Sequence, residues 1–279
     1  MLQPETVRRP YLALAAAACA LLWTGSAAAA TRILALGDFG VGGTTEQEMG
    51  SAMRKFEAKH PADALVTLGD NDYTENPRAF HRNWTLSFGW LGAAGVSVSG
   101  ALGNHDVRVR NGRYQFDELD MPRARYKRRV GNVQLFVLNS NNVNDRQTAW
   151  LERVLAASTA RWQIAVFHHP AWTCGEYRSN AAVVDRWVPL FRQYGVDLVL
   201  SGHDHNYQRF AEWHGVRYVV HGGGGAHLYP VEQCPNGYPA RRFARAAHGF
   251  LSIRAGDDVM RVAAITRWRR VIDRATIYP

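Results

Sequence analysis

The sequence predicts a mixed α/β fold, on three observations. Short apolar runs of strand composition alternate with helix-like stretches from residue 31 to about residue 200. Toward the C-terminus the pattern turns mainly to strands, "VRYVVH", "GFLSIRA" and "DVMRVAAIT", which favours a mixed over a purely parallel sheet. No linker, internal repeat or low-complexity tract divides residues 31–279, so one domain is the simplest partition.

Taken in order, the chain opens after residue 30 on the strand "RILALGD" and the glycine-rich "FGVGG". A helix is expected from about Thr44 to Ala58, capped by Thr44 or Thr45, with acids in its first turn. A strand at Ala64–Leu68 follows, then a helical stretch after Pro77 and a short strand near Val96–Val98. "VQLFVLNS" reads as a strand and "DRQTAWLERVLAA" as a helix capped by Asp145. The second half repeats the alternation with the strand "RWQIAVF", one helix over "NAAVVDRWVPLFRQYG" ending on Gly195, and the strand "VDLVL".

Hydrophobic residues make up 47% and charged residues 20% of the 279 positions, which excludes a disordered chain and a multi-spanning membrane protein. Residues 1–30 read as a secretory signal peptide. Arg8 and Arg9 precede the apolar "YLALAAAACALLW", and small residues lead to a cleavage point among Ala28 to Ala30. "RRPYL" also resembles a twin-arginine export signal, although Val7 stands where a hydroxyl residue is usual. Residues 31–279 are therefore expected as an exported unit, periplasmic or secreted. There Cys174 and Cys234 permit one disulfide, with two free thiols as the alternative.

Part of the formal net charge of +9 sits in "PRARYKRR" from Pro122 and part in "RRFAR" from Arg241. Such segments are usually solvated surface; their functional reading is attraction of anionic substrates. No nucleic-acid-binding motif accompanies them.

Several predicted strands end in residues that can ligate metal. "LALGD" ends on Asp38, and "LVTLGDNDY" carries Asp70, Asp72 and Tyr73. "ALGNHD" presents Asn104, His105 and Asp106; "AVFHHP" presents His168 and His169; "LVLSGHDH" presents His203 and His205. One aspartate after a strand is ordinarily a turn residue, and one histidine is ordinarily packed or exposed. Five such endings in a row are hard to explain as turns, because ligands in α/β sheets gather beyond the carboxyl ends of strands.

These motifs resemble the calcineurin-like metallophosphoesterases, and within them the single-domain purple acid phosphatases of the tartrate-resistant type. Those proteins read DxG, GDxxY, GNH[DE], VxxH and GHxH. The resemblance covers about residues 31–227 and departs in the fourth motif, where Ala165 stands three positions before His168 and Val166 three before His169. His168 is the choice, because the family's histidine is followed by any residue and then proline.

The resemblance implies a β-sandwich of mixed sheets flanked by helices. It also implies a dinuclear centre in which Asp38, Asp70, Tyr73 and His205 hold Fe(3+), while Asp70, Asn104, His168 and His203 hold a divalent Fe, Zn or Mn. Asp70 bridges the two. Tyr73 points to iron: its phenol, with an unperturbed pKa of about 10, is a poor ligand for a weakly polarising ion. Relatives with a DxH first motif have a histidine where Gly40 stands here. Two ions about 3.5–4 Å apart would generate an attacking hydroxide and neutralise phosphoryl charge. His105 is the expected catalytic proton donor, with Asp106 paired to its imidazolium.

His169, His221 and His227 are expected to line the pocket, Asp72 and Asp204 to support ligands through hydrogen bonds, and His60, His81, His214 and His248 to lie on the surface. Acid phosphatase activity on small phosphomonoesters is the implied function. A phosphodiesterase on the same site is the nearest rival, and a non-catalytic metal- or phosphate-binding protein the more distant one.

Overall fold

The computed structural model describes residues 30–279, so residues 1–29 of the predicted leader lie outside the described residues. Thirteen strands among the described residues form two mixed sheets. The first holds β1 (Thr31–Leu36), β2 (Ala64–Leu68), β3 (Ser97–Ala101), β11 (Gly249–Ala255), β12 (Met260–Thr266) and β13 (Val271–Ile277), in the order β13-β12-β11-β1-β2-β3. The second holds β4 (Tyr126–Val130), β5 (Val133–Val137), β6 (Trp162–Val166), β7 (Leu198–Ser201), β8 (Tyr207–Phe210), β9 (Arg217–His221) and β10 (Arg241–Arg245), in the order β10-β8-β9-β7-β6-β5-β4. Strands β1, β2 and β3 run parallel, as do β5, β6, β7 and β9, while the flanking strands pair antiparallel.

The alternation of side chains along the second sheet shows how the layers stack. Val133, Leu135 and Val137 join Trp162, Ile164, Val166, Leu198 and Leu200 in the core shared with the first sheet. Their neighbours Phe136, Ala165, Phe167 and Val199 face a separate cluster built with α4 (Asp145–Ala156), α5 (Ala181–Arg186) and α6 (Val188–Gln193). On the first sheet, α1 (Thr44–Glu57) and α2 (Pro77–Phe88) bring Met49, Met53, Phe80, Trp84 and Phe88 into the main core, and α3 (Trp90–Ala93) adds Leu91. The two sheets are also pinned polar to polar: Arg209 of β8 donates twice to Asp273 of β13, and the Tyr207 hydroxyl donates to the same carboxylate at 2.7 Å.

Some local expectations change. Helix α1 starts from Gly43 with no side-chain cap, and Glu46 accepts from the Gly42 N–H at 2.7 Å instead. Asn144, not Asp145, caps α4 by accepting from Gln147 N–H at 2.9 Å; Asp145 sits inside the first turn, where its charge suits the helix dipole. The helix expected over 180–195 is two short ones, because Pro189 offers no N–H and crowds the preceding turn. The basic segments are structured: β4 and β10, the two outer strands of the second sheet, are drawn from them. Charged side chains on outer strands discourage edge-to-edge association. Cys174 and Cys234 form a disulfide, with Cα atoms 4.9 Å apart. Among the described residues, no helix is long and apolar enough to cross a membrane.

Candidate metal centre

The parallel strands of both sheets direct their carboxyl ends to one place. Asp38 follows β1, Asp70 follows β2, Asn104 follows β3, His168 follows β6, and His203 and His205 follow β7. Cross-sheet hydrogen bonds fasten these tips together: the His203 N–H donates to Asp38 Oδ2 at 2.9 Å, and His168 Nδ1 lies 3.0 Å from the Leu68 carbonyl. Asp38, Asp70 and His203 adopt φ of 59°, 50° and 72°, a left-handed conformation that costs non-glycine residues energy and concentrates at functional sites.

Two groups of donors result. In one, ligand atoms of Asp38, Asp70 and His205 lie within 4.8 Å of one another. Tyr73 joins it, with its hydroxyl 3.0 Å from His205 Nε2 and 3.3 Å from Asp38 Oδ1. In the other, His168 Nε2 lies 3.1 Å from Asn104 Oδ1, 3.2 Å from His203 Nδ1 and 3.4 Å from Asp70 Oδ2. Asp70 is thus within reach of both.

Backbone carbonyls orient two of the imidazoles. The Leu68 carbonyl accepts from Nδ1 of His168, and the His227 carbonyl accepts from Nδ1 of His205 at 2.7 Å, so each ring turns its Nε2 toward the other donors. His169 belongs to the second group as well, with one ligand atom each of His168, His169 and His203 lying within 4.8 Å of one another, while its Nδ1 meets Ser140 Oγ at 2.9 Å.

Burial works against charge on every one of these groups, and they answer by pairing. Asp70 and Asp38 raise the buried His168 to about 9, and His168 in turn holds Asp70 below the usual carboxylate range. Burial lifts Asp38, and burial followed by the Asp38 and Asp70 carboxylates pushes the Tyr73 phenol far up. Burial, then the neighbouring histidines, depress His203 to about 2.

The remaining expected residues fall into clear places. His105 reaches the site: its N–H donates to Asp70 Oδ1 at 2.9 Å, and its ring packs on that of Tyr73 with centroids 4.4 Å apart. Asp106 does not pair with it. The fully buried Asp106 carboxylate accepts instead from Asn71 N and Nδ2, Asp72 N, Gly103 N and Gln115 Nε2. Consecutive residues on a tight turn point apart, and here the aspartate stitches the GDNDY turn to the GNHD turn.

Asp72 accepts from Thr74 and Tyr114, and Asp204 from Thr173, so their side chains fasten the surrounding loops rather than bonding the candidate ligands as expected. His221 is buried at 2% exposure and His227 is exposed, while His248 is half-buried rather than on the surface as expected. His60, His81 and His214 are exposed.

Two residues had no signal in the sequence. Tyr177 stacks on the His203 ring at 4.1 Å and Tyr229 on the His205 ring at 4.2 Å, with their hydroxyls 3.4 Å apart. They lie on loops that the Cys174–Cys234 bridge ties together.

A model of the calcineurin-like phosphoesterase family matches residues 31–207, the stretch that carries every one of these donors. The chain belongs to that family. It is 26% identical to tartrate-resistant acid phosphatase type 5 of Rattus norvegicus over 288 aligned positions, covering 85% of this chain and 87% of the relative. The same enzyme from Oryctolagus cuniculus is 27% identical, over 78% of this chain and 81% of the relative. Among solved structures, the yellow lupin purple acid phosphatase PPD1 superposes with a TM-score of 0.74 at 17% identity, covering 90% of this chain and 54% of that one. Plasmodium GAP50, described as the anchor in the inner membrane complex, superposes with 0.75 at 17% identity, over 90% and 89%.

The family implies a dinuclear metal centre, and the residues present fit one. Two adjoining groups of buried and half-buried O and N donors meet where Asp70 Oδ2 lies 3.4 Å from His168 Nε2, and backbone carbonyls on Nδ1 turn the Nε2 of His168 and His205 toward the other donors.

Proposed function

We propose that the protein is an exported acid phosphatase that hydrolyses small phosphomonoesters at a dinuclear iron-containing centre. The observation that carries this reading is the Tyr73 hydroxyl seated between His205 and Asp38. A buried phenol so placed yields its proton only to a strongly polarising cation, which supports Fe(3+) held by Asp38, Asp70, Tyr73 and His205. Asp70, Asn104, His168 and His203 would hold the divalent partner, Fe, Zn or Mn. The bound pair would supply Lewis acidity, activating water for attack and neutralising charge on the phosphoryl oxygens.

The chain's own residues supply the rest. His105 donates a proton to the leaving oxygen, from a position fixed by the Asp70 carboxylate behind its N–H and the Tyr73 ring beneath it. Asp106 acts as a positioning residue by holding the turns on either side of His105 in register. Tyr177 and Tyr229 wall His203 and His205 and limit access of water from that side. Both sheets contribute donors, which supports reading residues 31–279 as one catalytic unit. The Cys174–Cys234 bridge supports an oxidising compartment, periplasmic or secreted.

Turnover of aryl phosphomonoesters against matched diesters tests the substrate class. A preference of roughly tenfold or more for the monoester is expected; a diester preference replaces this reading with the phosphodiesterase. His105→Ala should lower kcat by about 10²- to 10⁴-fold. Near-normal kcat would remove His105 from the proton-donor role, and absence of turnover with either ester would favour a binding protein.

A further inference from the structure

A cavity of about 700 Å³ lies between the turns that follow β3 and β5. Both of these turns also carry residues next to the metal centre. In the turn after β3, His105 faces the donors while Val107, two residues on, lines the cavity. In the turn after β5, Ser140 engages His169 through both its N–H and its ring, while Asn139 and Asn141 on either side line the cavity. The Asn141 amide donates to the Leu102 and Gly103 carbonyls at 3.1 and 3.2 Å, tying the cavity wall to the residues just before Asn104.

The charge of this cavity is one-sided. Arg113 and Arg123 line it and no carboxylate does. Neither arginine takes part in an ion pair among the described residues. Arg123 also lines an adjoining groove with Arg125, Lys127 and Trp150, again without an acid, and the Arg125 guanidinium lies 5.7 Å over the Trp150 ring. Partial burial lowers the Arg125 pKa, and the nearby Arg146, Arg123 and Arg153 lower it further. Asn111 and Asn142 add polar side chains to the lining, and Phe116 and Val107 add apolar ones. Polar groups of this kind around a partly apolar hollow of several hundred Å³ suit a small organic anion.

We propose that this cavity is a second anion subsite, in which Arg113 and Arg123 bind a further phosphate carried by the leaving group of the substrate. The preferred substrates are then bisphosphates. The reacting phosphate lies at the metal centre, the carbon skeleton passes His105 and Val107, and the distal phosphate meets the two guanidiniums. The proposal rests on the monoesterase reading for its catalytic readout but not for its binding readout.

The test pairs fructose 1,6-bisphosphate with fructose 6-phosphate on the purified full-length protein. The bisphosphate should show a kcat/KM at least about tenfold higher, with the advantage shrinking as salt rises. In Arg113→Ala/Arg123→Ala that ratio should fall about tenfold, and the Lys/Lys variant should recover part of it. Calorimetric titration with fructose 1,6-bisphosphate reads the subsite without catalysis: affinity should fall about tenfold in the Ala/Ala variant even if no ester is turned over. A ratio and an affinity that are both unchanged in the Ala/Ala variant, with its melting temperature intact, make the arginines a solvated face and overturn the proposal. Loss of monophosphate turnover in the wild type with bisphosphate binding intact would remove the phosphatase and keep the subsite.

Discussion

The Tyr73 N–H donates to the Gly40 carbonyl at 2.9 Å. This bond docks the second motif on the first and sends the phenol toward Asp38 and His205. It also explains why a glycine stands at position 40: a Cβ there would overlap the Asn71 carbonyl and the Asp72 nitrogen. The side chain absent from the first motif and the tyrosine of the second are one structural choice. Gly40→Ala should therefore cost about 3 kcal/mol of stability, because the obstacle is backbone that cannot step aside. Thermal unfolding checks this, and a change under about 1 kcal/mol would mean that the turns are not locked together.

Asp106 and His105 are neighbours with opposite duties, and their variants should separate. Asp106→Asn sets an amide among N–H donors and leaves at least one unsatisfied, at roughly 1–3 kcal/mol. It should lower stability and kcat together. His105→Ala, at a half-buried site, should lower kcat with little change in melting temperature. Equal stability losses in both variants would contradict the assignment.

Glu46 gives the fold a pH dependence away from the metal ligands. It is 2% exposed, and burial raises its carboxyl to about 7 from an ordinary 4.5. With the folded value the higher one, the unfolded chain releases this proton first. Its contribution is full below about pH 4.5 and is lost as pH rises through 7. Glu46→Gln keeps an oxygen for the Gly42 N–H and removes the titration. Denaturant unfolding should find the variant and wild type alike near pH 4. Near pH 8 the variant should be more stable by up to about 3 kcal/mol. Parallel curves across that range would refute the burial argument.

The disulfide closes a loop of 60 residues and steadies both tyrosine-bearing loops. Cys174→Ser/Cys234→Ser should lose about 2–4 kcal/mol by the loop-closure argument. A raised KM is expected as well, since Tyr177 and Tyr229 would no longer be held against His203 and His205. Unaltered kinetics alongside the stability loss would confine the bridge to a structural role.

Much of this arrangement was legible because strand-then-ligand is a local pattern. Each of Asp38, Asp70, Asn104, His168 and His203 follows an apolar run that folds as a parallel strand, so order along the chain foretold the meeting of the tips. The choice of His168 over His169 rested on its spacing to Pro170; the structure brings both within ligand distance of His203 and sets the Leu68 carbonyl, 100 residues away, on Nδ1 of His168. Strands β4 and β10 were hidden because a sheet edge carries charge where the interior of the sheet carries apolar residues. The opposite orientations of His105 and Asp106 depend on the turn between them, and the stacking of Tyr177 and Tyr229 depends on loops brought together by the disulfide. Neither leaves a periodic trace.

Metal analysis of freshly purified protein, joined to its visible spectrum, tests the central claim most directly. The account predicts two metal ions per chain, at least one of them iron, and a tyrosinate-to-iron absorption band that disappears in Tyr73→Phe. Two bound ions with no iron, or a visible band that survives in Tyr73→Phe, would contradict it.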